Sequence, residues 1–406
     1  MTYLRSVLFD LSNMSAFGTL ETAELTPVFQ SDFVYGTNTQ LWNTANYTGT
    51  GALVDTDTAR LRIQCGTTNT GYAYITSRRI LRYRAGQGTV VRMTPIFATG
   101  TANNIQLWGA GSISSNLPQD GFFFGYNGTA FGIAHYNRGT GTWTSQGSWN
   151  GDHCLAGDGS FAYDSTLGTP AMIKYPYLGY GDIEFFLQNP DTTRWVLVHN
   201  IKYANTSANT ELGNPSLQLM GYTFNSGNTT NRIMYMGSVG AFISGIRLFV
   251  GNPKWSAKNN KASITTETNL LTLKNATTYN GITNRGLIRL TNISLGSSAA
   301  SGAASFDLVL NPTLGGSPSF SARNGSTADN GVTITSGNSI ASFDTAGTTI
   351  TGGTQLFSVS IDNPDSAIVD LTPYDIFLAP DDTLSIAGTS SNNATMTASL
   401  NWNEDI

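Results

Sequence analysis

Sugar cleavage needs two carboxyl groups facing one glycosidic bond. Two stretches of this chain offer carboxylates. Asp182 and Glu184 alternate so that a strand would carry both on one face, and Asp152, Asp158 and Asp164 fall together in a turn-rich segment. The first pair reads as solvated strand residues and the second set as turn formers. The three loop aspartates would also suit calcium, though no EF-hand spacing supports it. Of the three histidines, His135, His153 and His199, none stands at metal-ligand spacing from another, and His153 adjoins Cys154, a poor geometry for one metal. Neither a Gly-x-Ser-x-Gly elbow nor a phosphate-cradling loop with lysine occurs. The expectation is a protein that is not an enzyme, with no catalytic residue, no metal and no cofactor.

Binding chemistry is better represented. Trp143, Trp149, Tyr175, Tyr177 and Tyr180 lie in Gly-rich, loop-like surroundings. Exposed ring faces there would stack on apolar sugar faces; the reading that weighs more is that the same rings are core or subunit-interface anchors. Phe29, Phe33, Tyr35 and Trp42 make an aromatic N-terminal stretch expected to cross onto a neighbour or onto a larger particle. Arg78, Arg79, Arg82 and Arg84 form the one basic cluster. Read as a strand, it puts Arg82 and Arg84 on the face of Ile80, and Arg79 on the opposite face with Leu81 and Tyr83. A patch split in this way suits carboxylates at a subunit contact better than nucleic acid. The net charge of −5 points the same way, since a sequence-independent hold on phosphate needs clustered cations.

The elements that must carry these residues are strands. The 406 residues include 44 Gly and only 12% charged side chains, with abundant Thr, Ser and Asn. That mixture favours β-structure and turns over helices. Hydrophobic residues at 40% and aromatics at 11% are enough for packed cores. The densest signal is Asp120–Gly132 (DGFFFGYNGTAFG). It reads as two antiparallel strands, Gly121–Tyr126 and Thr129–Tyr136, joined by a two-residue turn at Asn127-Gly128, with the Phe run buried on both faces. No apolar run approaches the ~20 residues of a membrane span, so no membrane insertion is expected. No secretory signal is visible, and Cys65 and Cys154 read as buried free thiols or as a pair.

Taken in order, residues 1–50 are an irregular leader, with one or two helical turns allowed over 12–24, that either adds an edge strand to the next domain or docks on a neighbour. Residues 51–251 carry about ten strand signals, among them 59–64, 72–77, 78–84, 89–94, 183–187, 195–201, 216–224 and 240–250. Pro, Asn, Gly and three lysines then mark 252–264 as a linker. Eight short, evenly spaced strands fill 265–406. The fold class expected is all-β: two antiparallel, jelly-roll-like β-sandwich domains in series behind an irregular N-terminal leader.

Several pieces occurring together in order carry a family resemblance. They are Ser77–Gly88, Asp120–Gly132, Tyr175–Phe186 with His199-Asn200, Thr277–Arg285, Leu308–Leu314 and Ser399–Asp405. Across residues 60–406 the chain resembles two-domain virion proteins of tailed phages and large DNA viruses. The resemblance implies a structural role in the particle, as a capsid-associated or appendage (spike, fibre or tail) component with a share in host-surface attachment, and it supplies no catalytic residues. The alternative is a carbohydrate-binding or glycan-degrading protein. The expected partners are further copies of the chain, as a trimer or a pentamer, other virion proteins and a host-surface glycan. Low charge favours such self-association, because little repulsion separates copies and open sheet edges need covering.

Overall fold

In a computed structural model, the described residues are 25–48, 51–176, 178–245, 252–324 and 338–406. Two compact units divide the chain after Leu248. The strands of the first are β1 (Leu25–Asp32), β2 (Trp42–Asn46), β3 (Leu53–Asp57), β4 (Arg60–Gln64), β5 (Tyr72–Ser77), β6 (Thr89–Ile96), β7 (Asn104–Ser114), β8 (Leu117–Asn127), β9 (Ala130–Asn137), β10 (Thr140–Ser145), β11 (Ala171–Tyr175), β12 (Ile183–Gln188), β13 (Trp195–Ile201), β14 (Gln218–Asn225) and β15 (Ile233–Ser244).

These strands make two antiparallel sheets facing each other across one core. One sheet has the order β13-β12-β11-β6-β15-β4-β3, with β1 also on β15; the other runs β10-β9-β8-β7-β14-β5-β2. From β4 to β7 the chain steps between the sheets at every strand, laying β4 and β6 on β15 and β5 and β7 on β14. That alternation is the jelly-roll-like sandwich expected from the sequence.

The aromatic hairpin sits where the sequence placed it. Phe122 and Phe124 point into the core between the sheets, while Phe123 is buried on the outer face with Leu107, Tyr136 and Tyr222. Asn127 pairs with Ala130, so the turn residues are Gly128 and Thr129, one position later than expected. Gly128 takes φ +64°, as the first position of a tight hairpin turn demands.

Three expectations are corrected. The leader is not irregular over 25–46 and follows the edge-strand alternative: β1 pairs with β15 and β2 with β5, so these residues belong to the first sandwich. The 12–24 helical turns lie outside the described residues. The arginine segment is not a strand. β5 ends at Ser77, and beyond it only Leu81 makes a bridge, to Leu217. The proposed linker is a strand, Lys254–Ile264, running antiparallel to Ala394–Asp405. It looked like a linker because an edge strand buries one side only, and lysines along it discourage further pairing.

The second unit is again built on two larger antiparallel sheets, beside two short two-stranded ones, and all eight strands expected there are present. One sheet joins Lys254–Ile264, Ala394–Asp405, Leu287–Ser297 and Asp365–Asp370, with Phe377–Leu378 beside Leu287–Ser297. The other runs Ser321–Asn324, Asn338–Asp344, Thr268–Asn275, Thr383–Ser390, Ala303–Leu310 and Thr354–Asp362. Leu271, Leu290, Phe306, Ile386, Leu400 and Trp402 are among its core residues. At Glu404 burial pushes the carboxyl up, while Ser339, Trp402 and the Ile340 N–H donate hydrogen bonds to it.

The two units have separate cores, so a core truncation should be felt in one only. Phe124→Ala is expected to cost the first unit about 3–5 kcal/mol. Calorimetry should show one unfolding transition moving down and the other staying in place. Equal movement of both would mean that the units unfold together.

Candidate functional site

Sheet register builds a groove on the outer face of the sheet that contains β6 and β15. Three rows of outward side chains cross neighbouring strands. Gln30 on β1 lies opposite Gly240 on β15, Gly240 opposite Arg92 on β6, Arg92 opposite Met172 on β11, Met172 opposite Phe186 on β12, and Phe186 opposite Leu197 on β13. Two residues along, Phe242, Val90, Lys174, Glu184 and Asn200 make the next row. On the other side, Asp32 pairs with Ser238 and Gln188 with Trp195.

The groove measures about 640 Å³, and its lining includes Gln30, Asp32, Arg92, Gln188, Trp195 and Phe242. Its shape has local causes. A side chain at Gly240 would meet the Phe242 ring, so glycine there leaves the ring space to lie along the sheet. A bulge in β15 between Met236 and Val239 turns the strand so that Ser238 N–H donates to Thr94 Oγ1 at 2.9 Å. Val90, Met172 and Phe186 are buried alongside, packed with Trp195, Leu197 and Phe242. Trp195 and Phe242 are both only partly buried, and Arg92 is exposed with its guanidinium carbon 5.6 Å from the Phe242 ring centre. The arrangement offers two aromatic surfaces, side-chain amides and hydroxyls, and one cation. It suits a ligand with apolar faces and a hydroxylated rim.

The sequence missed this site. Trp195 and the strand bearing Phe242 were read only as parts of strands, and nothing local in either marks a groove. The five aromatics singled out for glycan or subunit contact do not converge. Trp149 is buried in the core and in edge contact with Phe124 and Phe131. Tyr175 is buried against Phe122. Both were read as loop aromatics, yet Tyr175 ends β11 and only Trp149 lies off a strand. Trp143 is half-buried on the edge strand β10, packed on the outer cluster of Phe123 and Tyr136. Tyr180 is 40% exposed and donates its hydroxyl to the Ala208 carbonyl, away from the groove. Tyr177 lies outside the described residues.

Of the interface candidates, the three buried aromatics are corrected in the same way. Phe29, Phe33 and Trp42 are core, with Phe29 edge-on to Trp42 at 5.0 Å and the Trp42 indole N–H donating to Ser31 Oγ. Tyr35 alone of that stretch is fully exposed, at 100%. Arg82 donates to Ser216 Oγ at 2.8 Å and fastens its own irregular segment to the start of β14. Arg84 is partly buried and its carbonyl accepts from the Gln87 N–H.

The candidate catalytic groups have structural partners. Asp152 accepts from the Cys154 and Ser160 N–H groups, Asp164 from Thr166, and Asp158 contacts His153 Nδ1 at 2.6 Å. His199 Nδ1 accepts from the Asn150 N–H, and His135 is stacked on Phe122 with Nε2 at the Glu211 carbonyl. Cys65 and Cys154 are both buried free thiols. Among the described residues no cluster of three His, Cys, Asp or Glu is placed to hold a metal ion. No helix there is long and apolar enough to cross a membrane.

Asp182 and Glu184 stand in different local settings. Glu184 faces outward on β12, opposite Lys174; burial pushes its carboxyl up, and Lys174 pulls it partly back. Asp182 precedes the strand and accepts from the Tyr203 N–H. The Asp182 charge raises Glu184 and also Glu211, a residue the sequence did not flag. Glu211 is fully buried, neither carboxyl oxygen has a hydrogen-bond partner, and burial with the nearby Asp182 charge pushes its pKa up to about 8. The folded state therefore holds a proton on Glu211 that the unfolded chain releases near its ordinary value of 4.5. Stability should be highest below that value and fall as pH rises toward about 8. Glu211→Gln is expected to flatten this slope and raise the first unit's melting temperature at pH 8. Melting curves from pH 4 to pH 9 test this, and an unchanged slope would mean that Glu211 is not the titrating group.

No protein-family model and no curated protein sequence matches the chain. Among solved structures, it is similar to a putative beta-glucanase from Mycobacterium abscessus, at 13% identity and TM-score 0.36 over 53% of this chain and 99% of that one. It is similar to a pseudo beta-1,3-glucanase of Mycobacterium tuberculosis, at 12% identity and TM-score 0.35 over 54% and 99%. It is also similar to a lectin from Bauhinia forficata, at 11% identity and TM-score 0.33 over 54% and 99%. Similarity at this level carries no argument about what the groove binds.

Proposed function

We propose that the protein is a non-catalytic, glycan-binding structural component of a virus particle, and that the groove on the first sandwich is its binding site. The observation that carries the binding part is the lining itself. Partly exposed Trp195 and Phe242 stand among Gln30, Gln188, Thr94 and Ser238, a combination that stacks on sugar rings and hydrogen-bonds hydroxyls. Asp32 is the one carboxylate among the lining residues. Cleavage by the usual route takes two, which supports binding without turnover. The virion part is supported by the sequence resemblance and is consistent with a groove used for attachment.

Assembly is part of the same reading, with a trimer first and a pentamer second. Supporting it in the second unit is the edge strand Asp365–Asp370, on which Ile368 is 79% exposed; Tyr374, a few residues beyond, is 58% exposed. An open edge with large apolar side chains is a surface that another copy can cover.

Trp195→Ala is expected to remove glycan-array binding without loss of fold, whereas Tyr180→Ala leaves binding intact. Binding that survives in Trp195→Ala would move the site elsewhere. Mass spectrometry of purified particles should find the chain at fixed stoichiometry; its absence would refute the virion role. For assembly, Ile368→Lys should lower the mass measured by light scattering to that of a monomer. A wild-type chain that is already monomeric at micromolar concentration would exclude a self-sufficient oligomer.

A further inference from the structure

We infer that the groove selects anionic saccharides, and that Arg92 reads their acidic group; this rests on the glycan-binding reading above. Arg92 stands on β6, in register with Gly240 on one side and Met172 on the other, neither of which offers it a polar side chain. Among the described residues no carboxylate is ion-paired with it. Its contact is the Phe242 ring at 5.6 Å, which steadies the guanidinium without neutralising it. An exposed arginine elsewhere is often a solvated surface charge. This one lines a groove floored by aromatic side chains.

No other lining group is ion-paired with Arg92, and Asp32 is the one lining carboxylate. Asp32 lies two residues further along the sheet, in the Ser238 row, and its Oδ1 accepts from the Val34 N–H and so caps its own turn. Thr94 and Ser238 bond to each other, and Gln188 Nε2 donates to the Thr193 carbonyl. Gln30 and Gln188 are neutral amides. A ligand lying across Trp195 and Phe242 therefore meets a guanidinium with no ion-pair partner among the described residues at the middle of its path, with Asp32 further along the sheet. A planar guanidinium donates two parallel hydrogen bonds to a carboxylate or a sulfate, a geometry that an uncharged hydroxyl does not match. The ligand class is a saccharide bearing a carboxylate, as sialyl or uronyl sugars do, or a sulfate.

The test compares one neutral oligosaccharide with its carboxylated and sulfated forms, using the full chain and the variants Arg92→Gln, Arg92→Lys and Trp195→Ala. Wild type should prefer one or both acidic forms, and the two arms tell carboxylate from sulfate. Arg92→Gln should weaken acidic binding about tenfold or more, the loss expected for a charge-assisted contact, and weaken neutral binding far less. Arg92→Lys should recover part of the affinity, with a steeper loss in added salt. Melting curves check that the variants fold. Equal wild-type affinity for neutral and acidic forms, abolished by Trp195→Ala, would overturn the anionic preference and leave the glycan reading standing. Failure to bind any form would overturn both.

Discussion

Trp108 and Gly221 face each other across the β7–β14 ladder, and the indole occupies the space that a side chain at 221 would need. The first sandwich depends on this exchange of a large residue against none. Phe123 lies over Gly111 and Gly121, Tyr136 over Gly141, and Phe242 over Gly240. Rings laid flat over glycine keep strands at normal spacing while both faces of a sheet are packed with aromatics. Much of the chain's glycine content in this domain is thus a condition of packing. The groove depends on the same device, because the glycine at 240 sets where the Phe242 ring lies.

What could be read from the sequence follows from this. Runs of apolar and alternating residues made β4, β5, β12 and β13 visible, and regular spacing between turn-rich breaks did the same for the second domain's eight strands. β7, NIQLWGAGSIS, was not visible: its glycines look like turn residues until their cross-strand partners are known. Tyr175 and Trp149 could be read either as core or as exposed rings because Gly-rich sequence surrounds them, and the residues that bury them come from distant strands. The groove could not be read at all. It is made by register among six strands, and no local pattern records that Arg92 stands between Gly240 and Met172.

Glu211 and Arg92 illustrate two fates of a lone charge. Glu211 is buried without a hydrogen-bond partner and keeps its proton, so its cost appears as a pH slope in stability. Arg92 cannot lose its proton and stays at the surface, where an external anion can pair with it. One shapes the folding equilibrium and the other is available to a ligand.

In each domain the first described strand is paired to the last with their free ends together. Leu25 lies opposite Ser244 in the first, and Lys254 opposite Asn403 in the second. Such closeness of the two ends lets a domain be carried as a loop on its chain. It also sets the mechanical character of each. A pull applied to the two ends strains the ladder's hydrogen bonds one pair at a time, starting at the outer pair, rather than all at once in shear. Each sandwich opens like a zip under tension, so a chain held at both ends would yield by peeling its terminal strands before its cores are stressed.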